Sequence, residues 1–152
     1  MTTLPMTPKI LPPHYFLFAL MGIGLTGIFL PGQTLPVTVR WSGVPLILAG
    51  IGLALAGSRL FAKVGTNIVP LTRSSMLVTS GVFSVSRNPM YLGMTVALSG
   101  AALLMQSLWA GLIVIAFFLL IRQQFVLKEE ILLTATFGSK YTDWQQRVRR
   151  WI

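Results

Sequence analysis

The chain has 152 residues, of which 54% are hydrophobic and only 10% charged, against roughly 25% charged in an ordinary soluble domain. Twelve Lys and Arg face three acids, for a formal charge of +9, with no cysteine and one histidine, His14. A soluble domain of this size leaves roughly 30% of its unfolded surface exposed and cannot hide so much apolar surface. The composition therefore excludes an ordinary soluble domain, a disordered chain, a coiled coil and any disulfide or thiolate chemistry. It leaves a small integral membrane protein with no metal site expected.

A spanning helix needs about 20 mostly apolar residues. The first candidate is His14 to Leu30, closed by Pro31-Gly32. Lys9 ahead of it imitates a signal peptide, but no small-residue cleavage site follows and further spans do. The second runs from Val44 to Val64, and its Gly50, Gly52, Ala54 and Gly57 suit close approach of a neighbouring helix, in this chain or in a second copy of it. The third, Pro89 to Met105, is short and ends at a polar turn, Gln106-Ser107. The fourth starts at Leu108 and spans to about Leu127. Its helical pattern continues through Glu129 and Glu130 to Phe137, with Gly138 as a C-cap.

The fold expected is therefore an all-α membrane protein of one domain. It has about four transmembrane helices (14–30, 44–64, 89–105 and 108–127), the last extending into the cytoplasm. A cytoplasmic N-terminus puts Lys9, Arg59, Lys63, Arg73, Arg87, Arg122, Lys128, Lys140, Arg147, Arg149 and Arg150 on the cytoplasmic side, with Arg40 alone outside. That asymmetry sets both termini in the cytoplasm, and it assigns the basic residues to orientation and anionic lipid rather than to nucleic acid. Residues 65–88 form a long loop carrying Ile68, Val69, Met76, Leu77, Val78, Val82 and Phe83, too apolar to be a plain connector. In residues 128–152, Tyr141, Trp144, Val148 and Trp151 recur at helical spacing among basic residues. That pattern predicts an amphipathic helix at the lipid–water interface.

All three acids, Glu129, Glu130 and Asp143, lie in the last quarter of the chain. Glu129 and Glu130 interrupt an apolar stretch, and ionisable groups near membrane depth mark function, unless the helix has already left the bilayer there. Arg122 is seven residues before Glu129, which places the two on one face of a regular helix. Ser86-Arg87-Asn88-Pro89 fits a helix start, with Pro89 in the first turn and Asn88 as N-cap. An arginine beside a helix N-terminus can receive a carboxylate.

Leu77-Val78-Thr79-Ser80-Gly81-Val82-Phe83, Arg87-Asn88-Pro89-Met90-Tyr91-Leu92-Gly93, Glu129-Glu130-Ile131-Leu132-Leu133, Phe137-Gly138, Tyr141 and Arg147-Val148 follow one another in a familiar order. Together they resemble the isoprenylcysteine carboxyl methyltransferase family and the related membrane phospholipid methyltransferases, over about residues 61–151. The resemblance implies an S-adenosyl-L-methionine-dependent membrane enzyme with a cytoplasm-facing cofactor pocket and a lipophilic methyl acceptor or lipid headgroup arriving from the bilayer. It implies cofactor contacts from Ser75, Met76, Leu77, Val78, Phe83, Asn88, Pro89, Met90, Tyr91 and Glu129, and catalytic contributions from Arg87, Glu129, Glu130 and Arg122. The chain departs from the family pattern in having Asn88 where histidine is usual and Phe83 where tyrosine is common. Phe125 stands where carboxyl-methylating members carry a substrate-binding arginine. The alternatives are a phospholipid N-methyltransferase acting on ethanolamine headgroups, and a non-enzymatic helical scaffold or transporter subunit associating through its glycines. A fainter resemblance to membrane sterol reductases would imply a nicotinamide cofactor.

Overall fold

The computed structural model describes residues 10–30, 36–65, 67–72 and 75–152. Lys9, Pro31, Gly32 and Arg73, used above for helix ends and orientation, lie outside the described residues. The described residues are helical, without strands: α1 (Pro12–Phe29), α2 (Val37–Trp41), α3 (Gly43–Val64), α4 (Pro89–Met105), α5 (Leu108–Ile121), α6 (Leu127–Phe137) and α7 (Ser139–Arg147), with a short 3-10 turn at Gly81–Ser84. Three stretches are long and apolar enough to cross a membrane: Pro12–Phe29, Val37–Val64 and Leu108–Phe137. Pro89–Met105 is a shorter apolar helix. The expected all-helical membrane architecture is present.

α4 lies at the centre, packed against α1, α3 and α5, and its Ala97, Leu98 and Ala101 are buried. A helix walled by three others meets protein rather than lipid along much of its surface, so length matched to the bilayer matters less. The α3–α4 contact is built on glycine. A Cβ on Gly50 would lie 2.5 Å from the carbonyl oxygen of Gly93, and a Cβ on Gly93 would lie 2.5 Å from that of Gly50. Gly50, Ala54 and Gly57 therefore serve α4 of the same chain, while a Cβ on Gly52 would face open space.

Three details differ from the sequence expectation. First, the second span is preceded by α2, so apolar helix extends back to Val37. Second, the long last helix is not regular, because residues Arg122–Val126 form a π-helical turn between α5 and α6. Third, the α7 face carrying Tyr141 and Trp144 does not meet lipid. Both are buried, with Val148, against Val78 and Phe83. The loop and α7 close on each other and form a second, smaller core beyond the end of the bundle. The amphipathic pattern was legible; its partner was protein.

Candidate functional site

A cavity opens where the N-terminus of α4, the start of α6, the segment before the 3-10 turn and α7 converge. Pro89 sits in the first turn of α4 as expected, but Asn88 does not cap it with its side chain. Its amide Nδ2 instead donates to the carbonyl of Arg150 at 3.0 Å. The main-chain N–H of Arg87 donates to the carbonyl of Arg149 at 3.0 Å, and Ser86 Oγ donates to the Arg150 carbonyl at 3.4 Å. The segment after α7 thus runs alongside Ser86–Asn88 and fixes it. Trp151 anchors the segment further by packing on Phe118, centroids 4.8 Å apart.

The two adjacent glutamates take different partners. Glu130 is held by two guanidinium groups: Arg87 Nη1 lies 3.0 Å from its Oε1, and Arg150 donates through Nε and Nη2 at 2.9 and 2.8 Å. The Arg87 and Glu130 side chains are 8% and 13% exposed, so this is a shielded, bidentate network of the strong kind. Glu129 faces the other way. It accepts from the Tyr91 hydroxyl at 3.0 Å and from the backbone of Leu71, and among the described residues it pairs with no cation. Leu71 adopts φ +59°, a left-handed conformation that costs a non-glycine residue roughly 1–2 kcal/mol. That strain sits where the loop backbone reaches the carboxylate.

The cavity therefore has two electrostatic ends. At one, Arg87 and Arg150 share a single carboxylate, leaving one positive charge in surplus. At the other, Glu129 and Tyr91 present a carboxylate, unpaired with any cation among the described residues, beside a phenol. Phe83, 4% exposed, lies between the loop and α3 and packs on Phe61 at 5.2 Å. Beneath Tyr91, Phe125 is buried with its ring 6.3 Å from Tyr91 and 5.8 Å from Tyr15.

Residues 38–140, more than half of the chain, match the model of the phospholipid methyltransferase family. The chain belongs to that family. It is a family of membrane methyltransferases, so the resemblance read from the sequence motifs and the spanning helices point to the same class. Comparison with curated proteins and with solved structures returned no match.

Set against the residues that the family resemblance singled out, the cavity wall includes Met76, Leu77, Val78, Phe83, Arg87, Asn88, Pro89, Met90, Tyr91, Glu129 and Glu130. Ser75 and Arg122 do not line it. For Arg122 the reason is the π turn. It adds one residue to the helix between Arg122 and Glu129, so the two diverge by about 120° instead of sharing a face. Phe61, Asn67, Leu71, Thr72, Tyr141 and Trp144 also border the cavity without having been picked out as site residues. For Tyr141 and Trp144 the signal was present as an apolar helical stripe that also fitted lipid. Leu71 and Asn67 lie in a loop with no periodicity to read.

Proposed function

We propose that this protein is an S-adenosylmethionine-dependent methyltransferase that methylates a lipophilic small molecule or a lipid headgroup drawn from the membrane. The observation that carries the reading is the pair of electrostatic ends built from adjacent glutamates. The cofactor bears an amino-acid carboxylate and ammonium at one end, ribose hydroxyls and a flat base at the other, and a sulfonium between them. The residues present fit such a group: among the described residues, Arg87 Nε and Trp144 Nε1 are buried donors without acceptors, as a carboxylate requires, and Glu129 is a half-buried acceptor without a cation. When bound, the cofactor would supply an electrophilic methyl group.

The chain's own contribution is placement. Glu129 and Tyr91 hold hydroxyl groups, Phe83 offers a ring face to a cation or a base, and Arg87 faces the carboxylate. Direct displacement at a methyl carbon depends mainly on alignment and on exclusion of water, which suits a site walled by Leu77, Val78, Met90 and Leu133. The basic residues near this end, Arg59, Lys63, Arg147 and Arg149, support a cytoplasmic placement of the cavity and of both termini by the positive-inside rule.

A phospholipid amine is the acceptor that a second observation favours. Phe125 is 2% exposed and enclosed by aromatic rings, so that position offers no cation to an acceptor carboxylate. A neutral amine acceptor needs no such cation.

The test is binding of S-adenosylhomocysteine to the detergent-purified protein, by calorimetry and thermal shift. A ligand that binds only the native form raises the unfolding temperature. A folded protein showing neither heat nor stabilisation would remove the reading.

A further inference from the structure

Among the described residues, two buried donors have nothing to donate to: Nε of Arg87 and the indole Nε1 of Trp144. The Arg87 side chain is 8% exposed and Trp144 is 5% exposed, and both border the cavity. Buried donors are almost always paired in folded proteins. Packing accounts for the Trp144 ring but not for its N–H, since phenylalanine would fill the same core without burying a donor.

Tyr141 stands between the two. Its hydroxyl oxygen accepts from Arg87 Nη1 at 3.3 Å, and its ring lies 5.7 Å from that of Trp144, edge to face. Burial, and then the charge of Glu130, raise the pKa of its phenol, so it keeps a proton to donate. The surrounding charge has the matching sign, because Arg87 and Arg150 have only Glu130 between them. Glu129, the other cavity carboxylate, is turned toward Tyr91 and Leu71.

We propose that Trp144 and Arg87 form an oxyanion subsite on the α7 wall of the cavity, taking a carboxylate or phosphate oxygen of a bound ligand. The assignment rests on the methyltransferase reading only for the two sources of that oxygen: the amino-acid carboxylate of the cofactor, or the phosphate of a phospholipid acceptor. Trp144 becomes a ligand-binding residue in either case.

Trp144→Phe keeps the ring and deletes the donor. Affinities of the wild type and the variant are measured by calorimetry on the full chain in detergent. The ligands are S-adenosylmethionine, its decarboxylated form, dihexanoylphosphatidylethanolamine and dihexanoylglycerol. A hydrogen bond to a charged oxygen corresponds to about a 10- to 100-fold change in affinity.

If the oxygen is the cofactor's carboxylate, the variant loses that much for S-adenosylmethionine and nothing for the decarboxylated form. If it is a phosphate, both S-adenosyl ligands bind as before and only the phosphatidylethanolamine weakens, with the glycerol lipid unchanged. The unchanged ligand in each arm shows that the variant's cavity is folded. Equal affinities of variant and wild type for all four ligands would overturn the subsite, as would a uniform loss across them. A wild type that binds neither S-adenosyl ligand, yet shows the phosphate-dependent loss in the variant, would overturn the methyltransferase reading and leave the subsite standing.

Discussion

Asn88, immediately ahead of α4, donates its side-chain amide to the main-chain carbonyl of Arg150 at 3.0 Å, joining the entry of the central helix to the segment that follows α7. The bond ties the geometry of the cavity to residues that need not touch a ligand. Arg150 takes part twice, through its carbonyl to Asn88 and Ser86 and through its guanidinium to Glu130. Arg150→Ala retains the carbonyl and loses the ion pair. It should lower stability by about 1 kcal/mol, since the side chain is partly exposed and Glu130 keeps Arg87. Deleting residues 149–152 also removes both carbonyl acceptors and the Trp151 anchor. Thermal unfolding in detergent should show a much larger drop for the deletion than for the point variant, and S-adenosylhomocysteine binding should be lost only in the deletion. A deletion that binds as well as the intact chain would show that the segment does not hold the site.

Glu129 and Glu130 are neighbours with opposite expected phenotypes. Glu130→Ala leaves Arg87 buried without its carboxylate, and breaking such a pair from one side costs about 3 kcal/mol or more. Glu129→Ala removes the hydrogen bonds from Tyr91 and from the Leu71 backbone and breaks no ion pair among the described residues, so its stability cost is about 2 kcal/mol. Cofactor binding should behave the other way, with Glu129→Ala abolishing it in a protein that remains folded. Calorimetry and thermal unfolding on the two variants decide between these patterns. Unchanged affinity in Glu129→Ala would take Glu129 out of the site.

The division of labour between the glutamates marks the limit of what was legible in the sequence. Four apolar stretches, the helix start at Pro89, the Gln106-Ser107 turn and the stop at Gly138 were all readable, because each is set by local chemistry: hydropathy, a missing N–H, a residue at positive φ. Most of the cavity wall was reachable too, through ordered motifs. Three features were out of reach because they depend on distant partners. Which glutamate binds arginine depends on Arg150, 20 residues further on. The Asn88 side chain leaves the cap for a carbonyl 62 residues away. Trp144 and Tyr141 present an apolar stripe that fits lipid and protein equally well, and only the folded loop supplies the partner.

The glycines of α3 separate packing from conformational freedom. Gly50→Ala puts a methyl group into the backbone of Gly93, where neither helix has a flexible side chain to yield. The helices must part, at about 1–3 kcal/mol. Gly52→Ala faces open space on the same helix and should be neutral or stabilising by about 0.5–1 kcal/mol, as expected for alanine replacing a helical glycine. Unfolding temperatures for the pair provide the check. Equal destabilisation by both would mean that Gly52 also faces a partner, such as a second copy of the chain.

The π turn at Arg122–Val126 gives the last prediction. Phe125 and Val126 are buried, while Gln123 and Gln124 are exposed. A π turn of this kind is a helix carrying one extra residue, with the flanking turns kept in phase. Deleting Gln123 should therefore convert Arg122–Val126 to regular helix and leave Glu129 and Glu130 pointing where they do now. Inserting an alanine after Gln123 gives the opposite result unless the helix widens again: α6 turns by about 100°, Glu130 leaves Arg87 and Arg150, and Glu129 leaves Tyr91. The expected outcome is retained S-adenosylhomocysteine binding in the deletion and loss in the insertion. Loss in the deletion, with the protein folded, would mean that the wide turn itself shapes the cavity, through the placement of Phe125 against Tyr91, rather than only restoring the phase of the helix.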